Sequence, residues 1–76
     1  MFKFFAFLKK IFPILIGKKY RVNFNSKEIH DLKNEKHNCF LGAMTDYKNI
    51  YKKDVDGYLN NGFNGCKWCY REKNTG

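Results

Sequence analysis

All the histidines and cysteines of this chain could serve one ion: His30, His37, Cys39, Cys66 and Cys69. Cys66 and Cys69 form a C-x2-C pair inside "GFNGCKWCY". Such a pair serves thiol redox chemistry, a disulfide or metal ligation. Three cysteines is an odd count, so one bridge leaves a spare thiol, and a secreted mini-protein of this size ordinarily carries more bridges. A thiolate site that uses all three sulfurs leaves nothing over. In a tight turn both C-x2-C sulfurs reach one ion while nearby backbone N–H groups bond to them. Gly65 permits the close backbone approach of such a knuckle. A more distant Cys and a His complete a tetrahedral Cys₃His set, the donor set of structural Zn²⁺. Soft thiolates favour zinc over magnesium or calcium.

Competing chemistries fail on particular residues. Thioredoxin-type redox needs its C-x-x-C within a larger βαβ-rich domain. Haem attachment needs His after the second Cys, and Tyr70 stands there. Zinc deaminases need H-x-E and then P-C-x-x-C, which "HDL" and "NGC" do not supply. A calcium loop turning on Gly57 would put Lys52 and Phe63 at its first and last ligand positions, both wrong for oxygen ligation. A fourth ligand closes the zinc shell, which excludes catalysis at the ion. No catalytic residue and no small-molecule substrate is therefore expected.

The stretch "EIHDLKNEKHNC … LNNGFNGCKWC" resembles the Ada-type zinc-binding module of bacterial alkylation-repair proteins and its small relatives. Their pattern is an extended "v-H", a Cys shortly after, a short helix, then "G-Y-x-x-C-x-x-C". The matching residues are Ile29-His30, Cys39, Gly62-Phe63, Cys66 and Cys69, over about residues 27–70. The variants reading "VHDLxNExxNC … GYDNCxWC" are especially similar. The resemblance implies His30, Cys39, Cys66 and Cys69 as the ligands, with His37 left in a loop. Spacing agrees, since His37 and Cys39 lie awkwardly close for one tetrahedral ion. The repair proteins use four cysteines, one of which accepts a methyl group, whereas here a His holds a ligand position. Alkyl-group repair is therefore not implied, only the zinc-bound fold.

Several elements must position these ligands. "YRVNFN" (20–25) alternates apolar and polar residues as a strand does. "SKEIHDL" (26–32) reads as further extended chain with Ile29 and Leu32 inward, and "KNEKHN" (33–38) as a loop. "CFLGAM" (39–44) reads as a helical turn, and "TDYKNIYKK" (45–53) fits either helix or strand. "DVDGYLNNG" (54–62) reads as a short helix, N-capped by Asp54 and stopped at Gly62. Asp56-Gly57 offers a competing hairpin turn there. The fold class expected is a small α+β zinc-stapled module, with short strands, one or two short helices and a C-x2-C knuckle. It spans 20–71, after an N-terminal amphipathic helix in 1–19 and before a flexible tail at 72–76. A chain of 76 residues needs such a staple, because it buries only roughly 60% of its surface on folding.

The net charge of +8 is concentrated at one end. Residues 1–21 hold six bases and no acid, whereas 22–76 hold nine bases against seven acids. Five of the eight phenylalanines fall in the first twelve residues. As a helix, Phe4, Phe7, Leu8 and Ile11 share one face opposite Lys3 and Lys10, and Pro13 should end or kink it near Phe12. Ile14–Ile16 follow as a short buried strand or a helical continuation. The uncharged run Ile11–Gly17 is far short of the roughly 20 residues a span needs. Lysines interrupt the apolar run and no small-x-small site follows, so a cleaved signal peptide fits poorly.

An interfacial helix fits better, with apolar groups in the headgroup boundary and each nearby base contributing about 1 kcal/mol against anionic lipid. The expectation is a cytoplasmic, non-enzymatic zinc module, held at an anionic membrane surface or on a protein partner through residues 1–19. Two other readings remain. One is a nucleic-acid-binding zinc protein, in which Tyr47, Tyr51, Tyr58, Phe63 and Trp68 interleave with Lys48, Lys52, Lys53, Lys67 and Arg71. The bland reading of those aromatics is core, with Phe63 packed under the knuckle. The other is a small subunit of a larger complex.

Overall fold

The computed structural model describes residues 12–36, 39 and 44–75. Four short strands form one sheet: β1 (Tyr20–Asn23), β2 (Glu28–Asp31), β3 (Tyr47–Ile50) and β4 (Asn64–Gly65). Their spatial order is β3-β1-β2-β4. β1 pairs antiparallel with both β2 and β3, and β4 runs parallel to β2. A short helix, α1 (Val55–Asn60), lies between β3 and β4 in the chain. It belongs to the long crossover that a parallel pair requires.

The strand expected over 20–25 ends at Asn23, and the chain does not stay extended to Leu32. Residues 24–27 turn tightly and β2 returns along β1, pairing Val22 with Ile29 and Arg21 with His30. No Asn-Gly or Asp-Gly marks this hairpin. The turn is made by the Asn23 side chain accepting from the Asn25 backbone N–H at 3.0 Å, and by Lys27 at a φ of 57°. "TDYKNIYKK", compatible with either element, contains the edge strand β3. Its outward Lys48 suits an edge that must not pair further.

Alternation then sorts the sheet's two faces. Val22 and Ile29 are neighbours across β1 and β2 on one face, while Arg21, His30 and Asn49 form a row on the other. The apolar core consists of Val22, Ile29, Leu32, Ile50, Val55 and Tyr70, together with the three cysteines. Phe63 is half-buried against this core, and its ring meets Phe24 and Tyr58, with centroids 5.9 and 5.3 Å away.

The helix expected at 54–62 forms, and its ends differ in kind. Asp54 sits at the N-cap but its side chain caps nothing, because the chain arrives through a 3₁₀ turn, Lys52–Asp54, that leaves Asp54 in helical backbone. A capping side chain needs extended backbone there. At the other end Gly62 has a φ of 91°, its N–H donates to the Leu59 carbonyl at 3.3 Å, and the Phe63 N–H donates to that of Tyr58 at 3.1 Å. This is a Schellman motif, completed by the Tyr58–Phe63 ring contact. Two glycines of this segment should therefore respond oppositely to alanine. Gly57→Ala meets nothing within 4 Å in an exposed helix position and should stabilise by about 0.5–1 kcal/mol. Gly62→Ala must hold a left-handed backbone and should cost about 1–2 kcal/mol. Urea unfolding of the two variants checks both signs.

The N-terminal amphipathic helix falls largely outside the described residues. Residues 12–15 are helical with Pro13 among them, so of the two readings of Ile14–Ile16 the helical continuation holds and the strand does not. Residues 1–11, on which the effect of Pro13 also depends, lie outside the described residues. The Pro13 carbonyl accepts from the Lys18 N–H at 2.8 Å, which closes the turn after this helical stretch. Ile14 packs against the core, so this segment is joined to the module. Among the described residues no helix is long and apolar enough to cross a membrane. The tail expected to be flexible is tied back through Thr75. Asn74 Nδ2 donates to the Gly65 carbonyl at 2.7 Å, and the Thr75 N–H donates to Asn64 Oδ1 at 3.0 Å.

Candidate metal centre

Hydrogen bonds of the sheet bring four distant residues to one point. His30 lies on β2, Cys66 directly follows β4, and the Cys66 N–H donates to the Ile29 carbonyl at 2.8 Å. That bond places the knuckle beside His30. The chain then turns through Lys67 and Trp68 to Cys69, closed by the Tyr70 N–H donating to the Cys66 carbonyl at 2.8 Å. Gly65 permits this closure: a Cβ there would lie 2.6 Å from the Tyr70 carbonyl oxygen and 2.7 Å from the Lys73 carbonyl carbon. Cys39 joins from the preceding connection, its N–H held by the Lys36 carbonyl at 3.0 Å.

The ligand atoms of His30, Cys39, Cys66 and Cys69 all lie within 4.8 Å of one another, and all four residues are buried. Cys39 Sγ is 3.7 Å from Cys66 Sγ, and Cys69 Sγ is 3.5 Å from His30 Nδ1. The three cysteines are free of disulfides. Backbone N–H groups point at two sulfurs: Trp68 to Cys66 Sγ at 3.4 Å and Asp31 to Cys69 Sγ at 3.3 Å. These are the thiolate-directed bonds expected of a knuckle. His37 lies outside the described residues.

The electrostatics of the cluster call for a cation. Burial pushes the Cys39 and Cys69 thiols above the ordinary thiol range, outweighing the hydrogen bonds that favour their thiolates. Burial likewise pushes His30 below its ordinary value, and the nearby Arg21 guanidinium adds to this. His30 Nε2 is buried without a hydrogen-bond partner among the described residues. A neutral imidazole and three sulfurs, packed away from water, could hold a metal ion.

Arg21 is the residue that sequence reasoning missed here. It is buried opposite His30, donates from Nε to Asn49 Oδ1 at 2.7 Å, and stacks 4.4 Å from the Tyr47 ring centroid. The strand alternation puts position 21 on the face opposite Val22 but does not say that this face is covered too.

Metal binding must strip protons from the thiols, whereas His30 is already neutral at pH 7. The sign follows: affinity strengthens as pH rises through 7–8, by about three log units per pH unit for three thiols. Competition against a chromophoric chelator at several pH values measures this slope. A flat profile would show that the sulfurs are not ligands. No family model, curated protein or solved structure matches this chain.

Proposed function

We propose that this chain is a non-enzymatic zinc module of the Ada-like kind, held at an anionic membrane surface by its basic, aromatic N-terminal segment. One observation carries the zinc assignment. A tetrahedral S₃N shell with Zn–S of about 2.3 Å and Zn–N of about 2.0–2.1 Å has S···S edges of about 3.8 Å and S···N edges of about 3.5 Å. One edge of each kind matches: Cys39 Sγ lies 3.7 Å from Cys66 Sγ and Cys69 Sγ 3.5 Å from His30 Nδ1, with all four ligand atoms within 4.8 Å of one another. Four buried protein donors complete a closed shell, which leaves no position for water or substrate and suits a structural ion.

Support for anchoring comes from the described end of the N-terminal segment. Phe12 and Leu15 are 66% and 75% exposed, Ile16 is half exposed, and Lys18 and Lys19 follow directly. A helical turn with apolar groups outward beside lysines has the composition of an interfacial anchor. A protein partner with an acidic-rimmed apolar groove would use the same groups.

Native mass spectrometry of the purified chain tests the ion, with one zinc per chain expected. Flotation with phosphatidylserine vesicles tests the anchor. The chain should float, and Leu15→Ser with Ile16→Ser should weaken flotation several-fold while zinc content stays at one. A zinc-loaded chain that stays at the bottom of the gradient would turn the anchor reading toward a protein partner.

A further inference from the structure

We infer that the outer surface of the knuckle is a binding site for single-stranded nucleic acid, with Trp68 as the stacking platform and Lys36, Lys67 and Arg71 as phosphate contacts. This site lies on the folded module and is independent of the N-terminal anchor. Because the two sulfurs of the C-x2-C turn face inward, its middle residues face out. Trp68 is 42% exposed, an unusual setting for the largest apolar side chain in the protein. The Lys67 ammonium lies 4.9 Å from its ring centroid.

The fold separates this tryptophan from Tyr47, Tyr58 and Phe63, while the exposed Tyr51 ring is engaged by the Lys18 and Lys53 ammoniums at 5.5 and 5.6 Å. Tyr58 and Phe63 are committed to the cluster with Phe24, and Tyr47 lies under Arg21. Around Trp68 the chain forms an open hollow of about 810 Å³, lined by Lys36, Lys67, Trp68, Arg71 and Asn74. Three of those five residues are bases and none is an acid. Lys36 comes from the β2–β3 connection and Arg71 from the C-terminal turn, so tertiary structure alone brings them together.

The chemistry of this surface selects its ligand. An acidic peptide would satisfy the bases but leave the indole face unused. A lipid surface needs further apolar side chains beside the ring, and the other lining residues are Lys36, Lys67, Arg71 and Asn74. A DNA duplex keeps its base faces stacked inside. A single strand offers phosphates and free π-faces together, which is what a basic groove around an aromatic ring recognises.

Trp68 is the chain's single tryptophan, so its emission reports the site directly. The zinc-loaded full-length chain is titrated with an eight-nucleotide oligothymidylate, and both Trp68 quenching and anisotropy are followed. Saturable quenching is expected, with an affinity that falls as salt rises. Trp68→Ala should weaken binding about 5- to 150-fold, the equivalent of about 1–3 kcal/mol of stacking, while Trp68→Phe should largely restore it. Lys36→Gln with Arg71→Gln, both exposed and outside the ligand set, should lower the log–log salt slope by about 1.4, from two lost phosphate contacts. Zinc content, measured in every variant, confirms that the knuckle is intact. The inference is overturned if Trp68 emission does not respond. It is equally overturned if inorganic polyphosphate binds as tightly as the oligonucleotide, if phosphatidylserine vesicles shift Trp68 emission instead, or if the Lys36/Arg71 pair leaves the slope unchanged.

Discussion

Removing zinc from the loaded chain with a strong chelator should abolish its folded structure. Circular dichroism should lose its native signal, amide resonances of residues 20–75 should collapse to random-coil values, and added zinc should restore both. The comparison of magnitudes is decisive. Globular chains gain roughly 0.05–0.15 kcal/mol of net stability per residue, which for this length amounts to about 4–11 kcal/mol. Structural zinc contributes about 10–16 kcal/mol near neutral pH, as much as that whole net stability or more. Apart from the cysteines, only six side chains form the buried apolar core among the described residues. The three thiols make up a third of that buried cluster, so the metal-free protein must pack them against one another without the ion that would tie them together, or open the fold. Cys69→Ser should behave like chelation. It removes the sulfur that accepts from the Asp31 N–H and that lies beside His30. A chelated chain with an unchanged spectrum and an ordinary cooperative melt would sink the structural-zinc reading.

The second large effect is expected from one added methyl group. Gly65→Ala should destabilise the zinc-loaded chain by about 3 kcal/mol in urea unfolding, at the upper end of overpacking costs. The new Cβ would sit 2.6 Å from the Tyr70 carbonyl oxygen and 2.7 Å from the Lys73 carbonyl carbon. Both are backbone atoms, which cannot rotate away as a side chain would. Relief would require the C-terminal turn to retreat from β4. That retreat strains the Tyr70 N–H bond to the Cys66 carbonyl and the Asn74 bond to the Gly65 carbonyl. Because the first of these closes the knuckle, zinc affinity should fall together with stability. Gly57→Ala serves as the control, since its methyl group enters open space. A Gly65→Ala stability within 0.5 kcal/mol of the parent would mean that the knuckle does not depend on this close approach.

The sequence by itself determined much about this protein, because the relevant signals are local. A C-x2-C spacing preceded by glycine specifies a knuckle whose two sulfurs can share an ion. Gly62 after Asn61 specifies where α1 stops, since a left-handed backbone is cheap only there. The odd cysteine count pointed to all three sulfurs acting together, and they do converge. Residue types alone, however, left His30 and His37 open; a resemblance selected His30, which the fold brings within 3.5 Å of Cys69.

Only the tertiary structure decided what depends on contacts far apart in the chain. His30 and Cys69 are 39 positions apart, and no periodicity links them. Their meeting follows from β4 pairing in parallel with β2, which no local pattern announces. The hairpin after β1 was illegible for a related reason: its turn is made by an Asn23 side chain and a left-handed Lys27, without Asn-Gly or Asp-Gly. Burial of Arg21 required knowing which face of β1 is covered, and alternation gives two faces without saying what lies on either. The aromatics show the same division. Tyr58, Phe63 and Trp68 look equivalent in sequence, but the fold half-buries the first two against Phe24 and turns the third outward. The knuckle's sulfurs face inward toward His30 and Cys39, which leaves its intervening residues facing water.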